Sequence, residues 1–137
     1  MKIQGGATAQ VVKQDEVRLA VPATPEFLRL ARVTAAGLAS RLGFTFDQVE
    51  DLRLAIDELC FGLTGTKGRA GTVEVRFVLN DGMLEVHGTG HFDDHQEPPV
   101  LSELSQVILD ALVDEHALMV ADGGPQFRLV KRRGPTG

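Results

Sequence analysis

DLRLAIDELCFGL, residues Asp51 to Leu63, places apolar side chains at Leu52, Ile56, Leu59, Cys60 and Leu63, one face of a helix at a period near 3.6. The same face extends back through Phe46 and Val49. It begins at Thr45 and Gln48, which have the spacing of a capping box. Gly62 and Gly65 weaken the far end. Cys60 lies among apolar neighbours. A small buried hydrophobe accounts for it better than a nucleophile, which would need an adjacent histidine and a polarised, exposed site.

Outward from this helix the pattern alternates between strand and helix periods. Glu16–Val21 alternates with Val17, Leu19 and Val21 on one face, as a half-buried strand does. Thr24 and Pro25 form a helix start, with Thr24 as N-cap and Pro25 where no amide donor is needed. Leu28, Ala31, Ala35, Leu38, Ala39 and Leu42 share a stripe, and Gly43 stops that first helix. After the glycine-rich loop Thr64–Gly71, two strands, Thr72–Leu79 and Met83–Gly88, flank the hairpin signal Asn80-Asp81-Gly82. Thr89–Val100 reads as a long polar loop. A third helix is expected from Ser102 to about Glu115, with Leu104, Val107, Ile108, Ala111 and Leu112 toward the core. A second hairpin, Ala117–Val120 and Gln126–Val130 around Asp122-Gly123-Gly124, follows. The expected fold is α/β (α+β): a two-layer sandwich with a mixed, mostly antiparallel sheet and helices on one face. Residues 1–14 are expected to be a flexible lead-in, 15–132 the domain and 133–137 a tail.

Composition removes several classes of function. At 137 residues the chain has the length of one domain. No apolar run reaches the roughly 18 residues of a membrane span, and MKIQGGATAQ holds no signal-like stretch, so a cytoplasmic protein is expected. One cysteine excludes an internal disulfide. The net charge of −5 and the absence of Trp and Tyr speak against direct nucleic-acid binding; Lys131-Arg132-Arg133 reads as a solvated tail. His87, His91, Asp93, Asp94 and His95 lie close in sequence, yet match no standard zinc spacing, so no metal site is expected there.

The order of elements and the Asp51–Leu63 phrase resemble the anti-sigma-factor/serine-kinase (RsbW-like) branch of the GHKL, or Bergerat-fold, ATPases, over roughly residues 15–132. Arg32 on the first helix and ALVDEH (Ala111–His116), similar to the end of the family's third helix, add to the likeness. The resemblance implies three nucleotide motifs. On the second helix a glutamate polarises water or a substrate hydroxyl, and an asparagine one turn later holds magnesium; Glu58 matches the first, and Gly62 stands at the second. The adenine-reading DxGxG motif falls near HGTGHFDD (His87–Asp94), where Gly88 and Gly90 match glycines but no aspartate precedes them. The phosphate-wrapping GxGL motif falls on Glu103, Leu104, Ser105 and Gln106, which include no glycine.

Glu58 is therefore the candidate general base, in its sharpest form paired with Asp57. Glu58, Gly62, Gly88 and Gly90 are candidate nucleotide-binding positions. Arg29 and Arg32 are candidate partner-binding residues, unless they are solvated or pair with Glu26 at helical spacing. The resemblance implies an anti-sigma regulator that binds a sigma factor and/or a STAS-type anti-anti-sigma factor, and that forms a homodimer. Because the motifs are degraded, kinase activity is expected to be lost, and no cofactor is expected, with ATP and magnesium as the exception to test. Two alternatives stay open: an active serine-protein kinase acting on an anti-anti-sigma factor, and an accessory partner-binding domain unrelated to sigma factors.

Overall fold

A computed structural model describes residues 15–94 and 100–134. In chain order the elements are β1 (Asp15–Pro22), α1 (Pro25–Arg41), α2 (Phe46–Thr64), β2 (Gly71–Asn80), β3 (Met83–Phe92), α3 (Glu103–Leu112), β4 (Glu115–Ala121) and β5 (Gly124–Arg132). The strands form one sheet in the order β1-β2-β3-β5-β4. Every pairing is antiparallel, so the sheet is not mixed among the described residues. The expected two-layer α+β architecture, that of a Bergerat-like ATPase fold, is what the chain adopts.

Alternation decides which side of the sheet faces the helices. Val73, Val75 and Phe77 of β2, Leu84 and Val86 of β3, and Phe127 and Leu129 of β5 point inward and are buried. Against them α2 buries Leu52, Ala55, Ile56, Leu59, Cys60 and Leu63, and α1 buries Leu28, Ala31, Ala35 and Ala39. Each large apolar side chain so buried contributes about 1.5–3 kcal/mol, which makes α2, with four such residues, the central helix. Its start carries the full capping box: Thr45 Oγ1 accepts from the Gln48 amide at 3.1 Å, and the Gln48 side chain accepts from the Thr45 amide at 2.8 Å. Gly43, just past α1, has φ +85°, a left-handed conformation that only glycine adopts cheaply.

Several expectations are corrected. β3 runs on to Phe92, so Thr89–Phe92 are strand and not loop; β2 is long enough to pair Gly71 with Phe92. α3 stops at Leu112. Val113 turns extended, and the Asp114 amide bonds the Val130 carbonyl, so strand pairing captures the segment expected to be the last helical turn. ALVDEH thus spans the end of α3 and the start of β4. Phe46 is 77% exposed and outside the core. Thr24 is extended as an N-cap should be, but its hydroxyl makes no capping bond; the Thr24 carbonyl accepts from Phe27 and Leu28 instead. Lys131 and Arg133 are not a solvated tail. Lys131 Nζ donates to the Leu112 carbonyl at 2.6 Å and Arg133 Nη1 to the Leu42 carbonyl at 3.0 Å, so these cations close the C-terminal ends of α3 and α1.

The largest departure is α3. Of its expected core face, Leu104, Val107 and Ala111 are exposed and Ile108 is half-buried, while Leu112 packs against the core as expected; the fully buried residue of the helix is Leu109.

Candidate functional site

α2 and the first turn of α3 meet at Glu58. Glu58 is half-buried on α2 and accepts a hydrogen bond from Ser105 Oγ at 2.5 Å. Ser105 is held there by the local logic of a helix start. The Ser102 hydroxyl accepts from the Ser105 amide at 3.0 Å and donates to Ser105 Oγ at 3.0 Å. Two hydroxyls and a carboxylate therefore form a short relay that ties the α3 N-terminus to α2. Asp57 does not pair with Glu58. It turns to α1, where Arg32 Nη1 donates to it at 2.9 Å. Neighbouring positions on a helix diverge by about 100°, and here each carboxylate has a different partner helix.

The three candidate glycines each meet apolar side chains. A Cβ at Gly62 would sit 3.2 Å from Leu101 Cδ2 and 3.3 Å from Leu118 Cδ2. The position one turn after Glu58 therefore faces two leucines. Gly88 lies on the inner face of β3, directly across from Phe127 of β5, and a Cβ there would overlap the Phe127 ring. At Gly90 a Cβ would overlap the ring of Phe92. Arg69, whose side chain is 7% exposed, stacks on Phe92 at 4.0 Å and forms an ion pair with Asp94, so that ring is braced from behind.

His87 points to the opposite, outer face of the sheet, where its Nε2 meets Glu85 at 3.1 Å. Burial lowers its pKa, against the upward pull of Glu85. Among the described residues no three His, Cys, Asp or Glu side chains group as metal ligands; His95 lies outside those residues. Cys60 is buried, and burial pushes its thiol up to about 12, which suits an inert core residue. Among the described residues no helix is long and apolar enough to cross a membrane.

A second concavity, a cleft of about 330 Å³, lies between α1 and α2. Arg29 and Arg32 line it with Leu28, Cys60, Phe61 and Thr64. Arg32 is engaged by Asp57 and not by Glu26, and its buried Nε has no hydrogen-bond partner among the described residues. Arg29 is exposed and makes no ion pair among them.

Sequence reasoning did not find Ser105 as the partner of Glu58, nor the side chains that occupy the glycine faces. The one signal available was Phe127 against Gly88, an aromatic ring covering a strand glycine, but it appears only once the β3–β5 register is known.

No protein-family model matches the chain. Among curated proteins it is similar to the serine-protein kinase RsbW of Bacillus pumilus, 35% identical over 77 residues that cover 53% of this chain and 48% of that protein. It is also similar to RsbW of Oceanobacillus iheyensis, 31% identical over 126 residues, covering 90% of this chain and 60% of that one. With RsbW of Bacillus licheniformis it shares 28% identity over 129 residues, 80% and 81% of the two chains. The matches with the foremost relatives span about half of those proteins' length. In element order, in the phrase on α2 and in these likenesses, the chain resembles the RsbW-like, anti-sigma-factor/serine-kinase branch of the GHKL ATPases.

Proposed function

We propose that the chain is an anti-sigma-type regulator that binds a sigma factor and/or a STAS-type anti-anti-sigma factor and has lost phosphoryl transfer. The observation that carries the loss is the filling of the cleft. Leu101 and Leu118 cover Gly62, the rings of Phe127 and Phe92 cover Gly88 and Gly90, and Ser105 occupies the Glu58 carboxylate. A magnesium-bound triphosphate needs an oxygen ligand one turn after Glu58 and backbone amides at the start of α3, and its adenine needs open space at the glycines of β3. These residues fit it poorly: leucine and phenylalanine supply none of these, and Glu103 in the first turn of α3 adds a like charge.

Arg29 and Arg32 at the α1–α2 cleft are the proposed partner contacts on this surface, Arg29 as the exposed cation and Arg32 through exchange of Asp57 for a partner carboxylate. The acidic net charge favours association with a basic, DNA-binding protein. A cytoplasmic homodimer belongs to the same reading.

The competing reading is an active serine-protein kinase, favoured by the relatives' being serine-protein kinases and by the retention of Glu58. Two measurements separate them. Co-purification of the tagged chain with the sigma factors and STAS proteins of its own cell is expected to recover at least one, with recovery reduced in Arg29→Ala. Incubation of such a STAS protein with radiolabelled ATP is expected to give no transfer; transfer abolished by Glu58→Ala would establish the kinase instead.

A further inference from the structure

α3 poses a question that the filled cleft does not answer. Its Leu104, Val107, Ile108 and Ala111 follow helical spacing on one face, yet that face is turned outward, with Leu104 69% and Val107 64% exposed. Beside it α2 does the same. Leu54 and Phe61, one on each side of Asp57 and Glu58, are more than half exposed. Between the two helices runs a groove of about 600 Å³, floored by Leu54, Phe61, Ile108, Ala111 and Leu112. Scattered exposed apolar residues are ordinary, but a contiguous apolar strip spanning two helices is the mark of an interaction surface.

The charge around this strip is mostly acidic, with Arg32 of α1, paired to Asp57 at 2.9 Å, as the nearby cation. The two helices together carry seven carboxylates and one basic residue, Arg53, which is itself paired with Glu50 at 2.9 Å. Asp57 and Glu58 border the groove directly, and Glu103 and Asp110 flank Val107 on the outer side of α3. Lys131 of β5 is spent on the Leu112 carbonyl and on Asp51 at 3.6 Å. An apolar floor between acidic walls selects a ligand with an apolar stripe between basic flanks, the pattern of a cationic amphipathic helix laid into a groove.

We propose that the α2–α3 groove is a docking site for a basic amphipathic helix of a protein partner, adjoining the Arg29/Arg32 cleft, with which it shares Asp57 and Phe61. Leucine-type anchors at i, i+3 or i+4 and i+7 would rest on Leu54, Phe61 and Ile108, with exposed Val107 beside the groove, and Lys or Arg on the flanks would meet Glu103 and Asp110, the latter already beside His116 at 2.7 Å. The proposal rests on the preceding reading only in that the partner is a protein.

The test uses a designed, fluorescein-labelled peptide of about 18 residues, five helical turns, with that leucine stripe and lysine/arginine flanks. Controls are a scrambled peptide of the same composition and one with glutamate in place of the basic residues. Expected are saturable binding of the first peptide alone, affinity that falls with added salt, and amide shift changes confined to α2 and α3. The double variant Leu54→Gln/Val107→Gln changes only exposed side chains, and is expected to keep its fold by circular dichroism while binding at least tenfold more weakly. Equal binding of the scrambled peptide, absence of binding, shifts mapping elsewhere, or an unaffected double variant would each overturn the proposal. So would a self-association, seen by sedimentation, that the double variant dissolves, since the occupant would then be a second copy of this chain. Failure of the peptide with co-purification of a sigma factor or STAS protein intact sinks the groove alone; the converse sinks the regulator reading alone.

Discussion

Glycine at position 62 looks in sequence like a mere loss, an asparagine replaced by nothing. In the fold the space it vacates is taken by Leu101 and Leu118. Gly62→Asn should therefore fail to restore a metal site. The asparagine Cβ would stand 3.2 and 3.3 Å from the ends of two half-buried leucines, which must give way, and its amide extends further into them, an overpacking cost of about 1–3 kcal/mol. Urea unfolding is expected to show a lower midpoint than the parent, and calorimetry no gain in magnesium-ATP affinity. A stable Gly62→Asn protein that binds the nucleotide would show that the leucines yield easily and that the cleft is only one substitution from function. Glu58 makes the complementary point. Its identity was visible in sequence, but its hydrogen bond to Ser105 arises across 47 positions and depends on how α3 docks.

Elements differ in how far local rules settle them. α2 begins where Thr45 and Gln48 say it should, because both halves of the capping box are made. Thr45→Ala removes the hydroxyl acceptor and should cost about 0.5–2 kcal/mol; since α2 is the central helix, the loss is expected in global unfolding, read by thermal denaturation, and not only as fraying. A Tm equal to the parent's would mean the cap is redundant with the bond between the Gln48 side chain and the Arg133 carbonyl. α3 is the opposite case. Its apolar period was legible, but period alone does not say whether an apolar stripe faces a core or a partner. The boundary between α3 and β4 was likewise beyond local rules, since Val113 and Asp114 are claimed by pairing with β5.

At the scale of the whole molecule the outer face of the sheet is a lattice of charge: Glu16 with Arg18 and Arg76, Glu85 with His87 and Arg128, Glu115 with Arg128 and Arg132. Two acid-sensitive steps follow. His87, with Arg76 on β2 and Arg128 on β5 facing it and Glu85 beside it, has a folded pKa below its ordinary 6.5, chiefly through burial. The unfolded chain then binds the proton more readily, so stability is full above that value and declines as pH falls through it toward the folded pKa. Glu16 and Glu115 are held below the usual carboxylate value of 4.5, first of all by hydrogen bonds from Arg18 and Arg128 respectively. Their contribution is present above 4.5 and is lost as pH falls through the folded pKa. Urea midpoints measured against pH should show the higher step flattened in His87→Gln and the lower one retained. An unchanged upper step would place its origin elsewhere.

What the sequence by itself determined is what period and local chemistry govern: the helical face around Leu52–Leu63, the caps at Thr45 and Ser102, the hairpins, the burial of Cys60 and the family likeness carried by DLRLAIDELCFGL. What the tertiary structure alone decided is which surfaces meet. It set the β3–β5 register that puts Phe127 over Gly88, the docking that joins Ser105 to Glu58, the leucines that cover Gly62, and the outward turn of the apolar face of α3. The physical reason is range. Helix and turn preferences act over a few residues, whereas the occupancy of a cleft is settled by side chains brought together from distant parts of the chain, and no local pattern encodes which of them arrive.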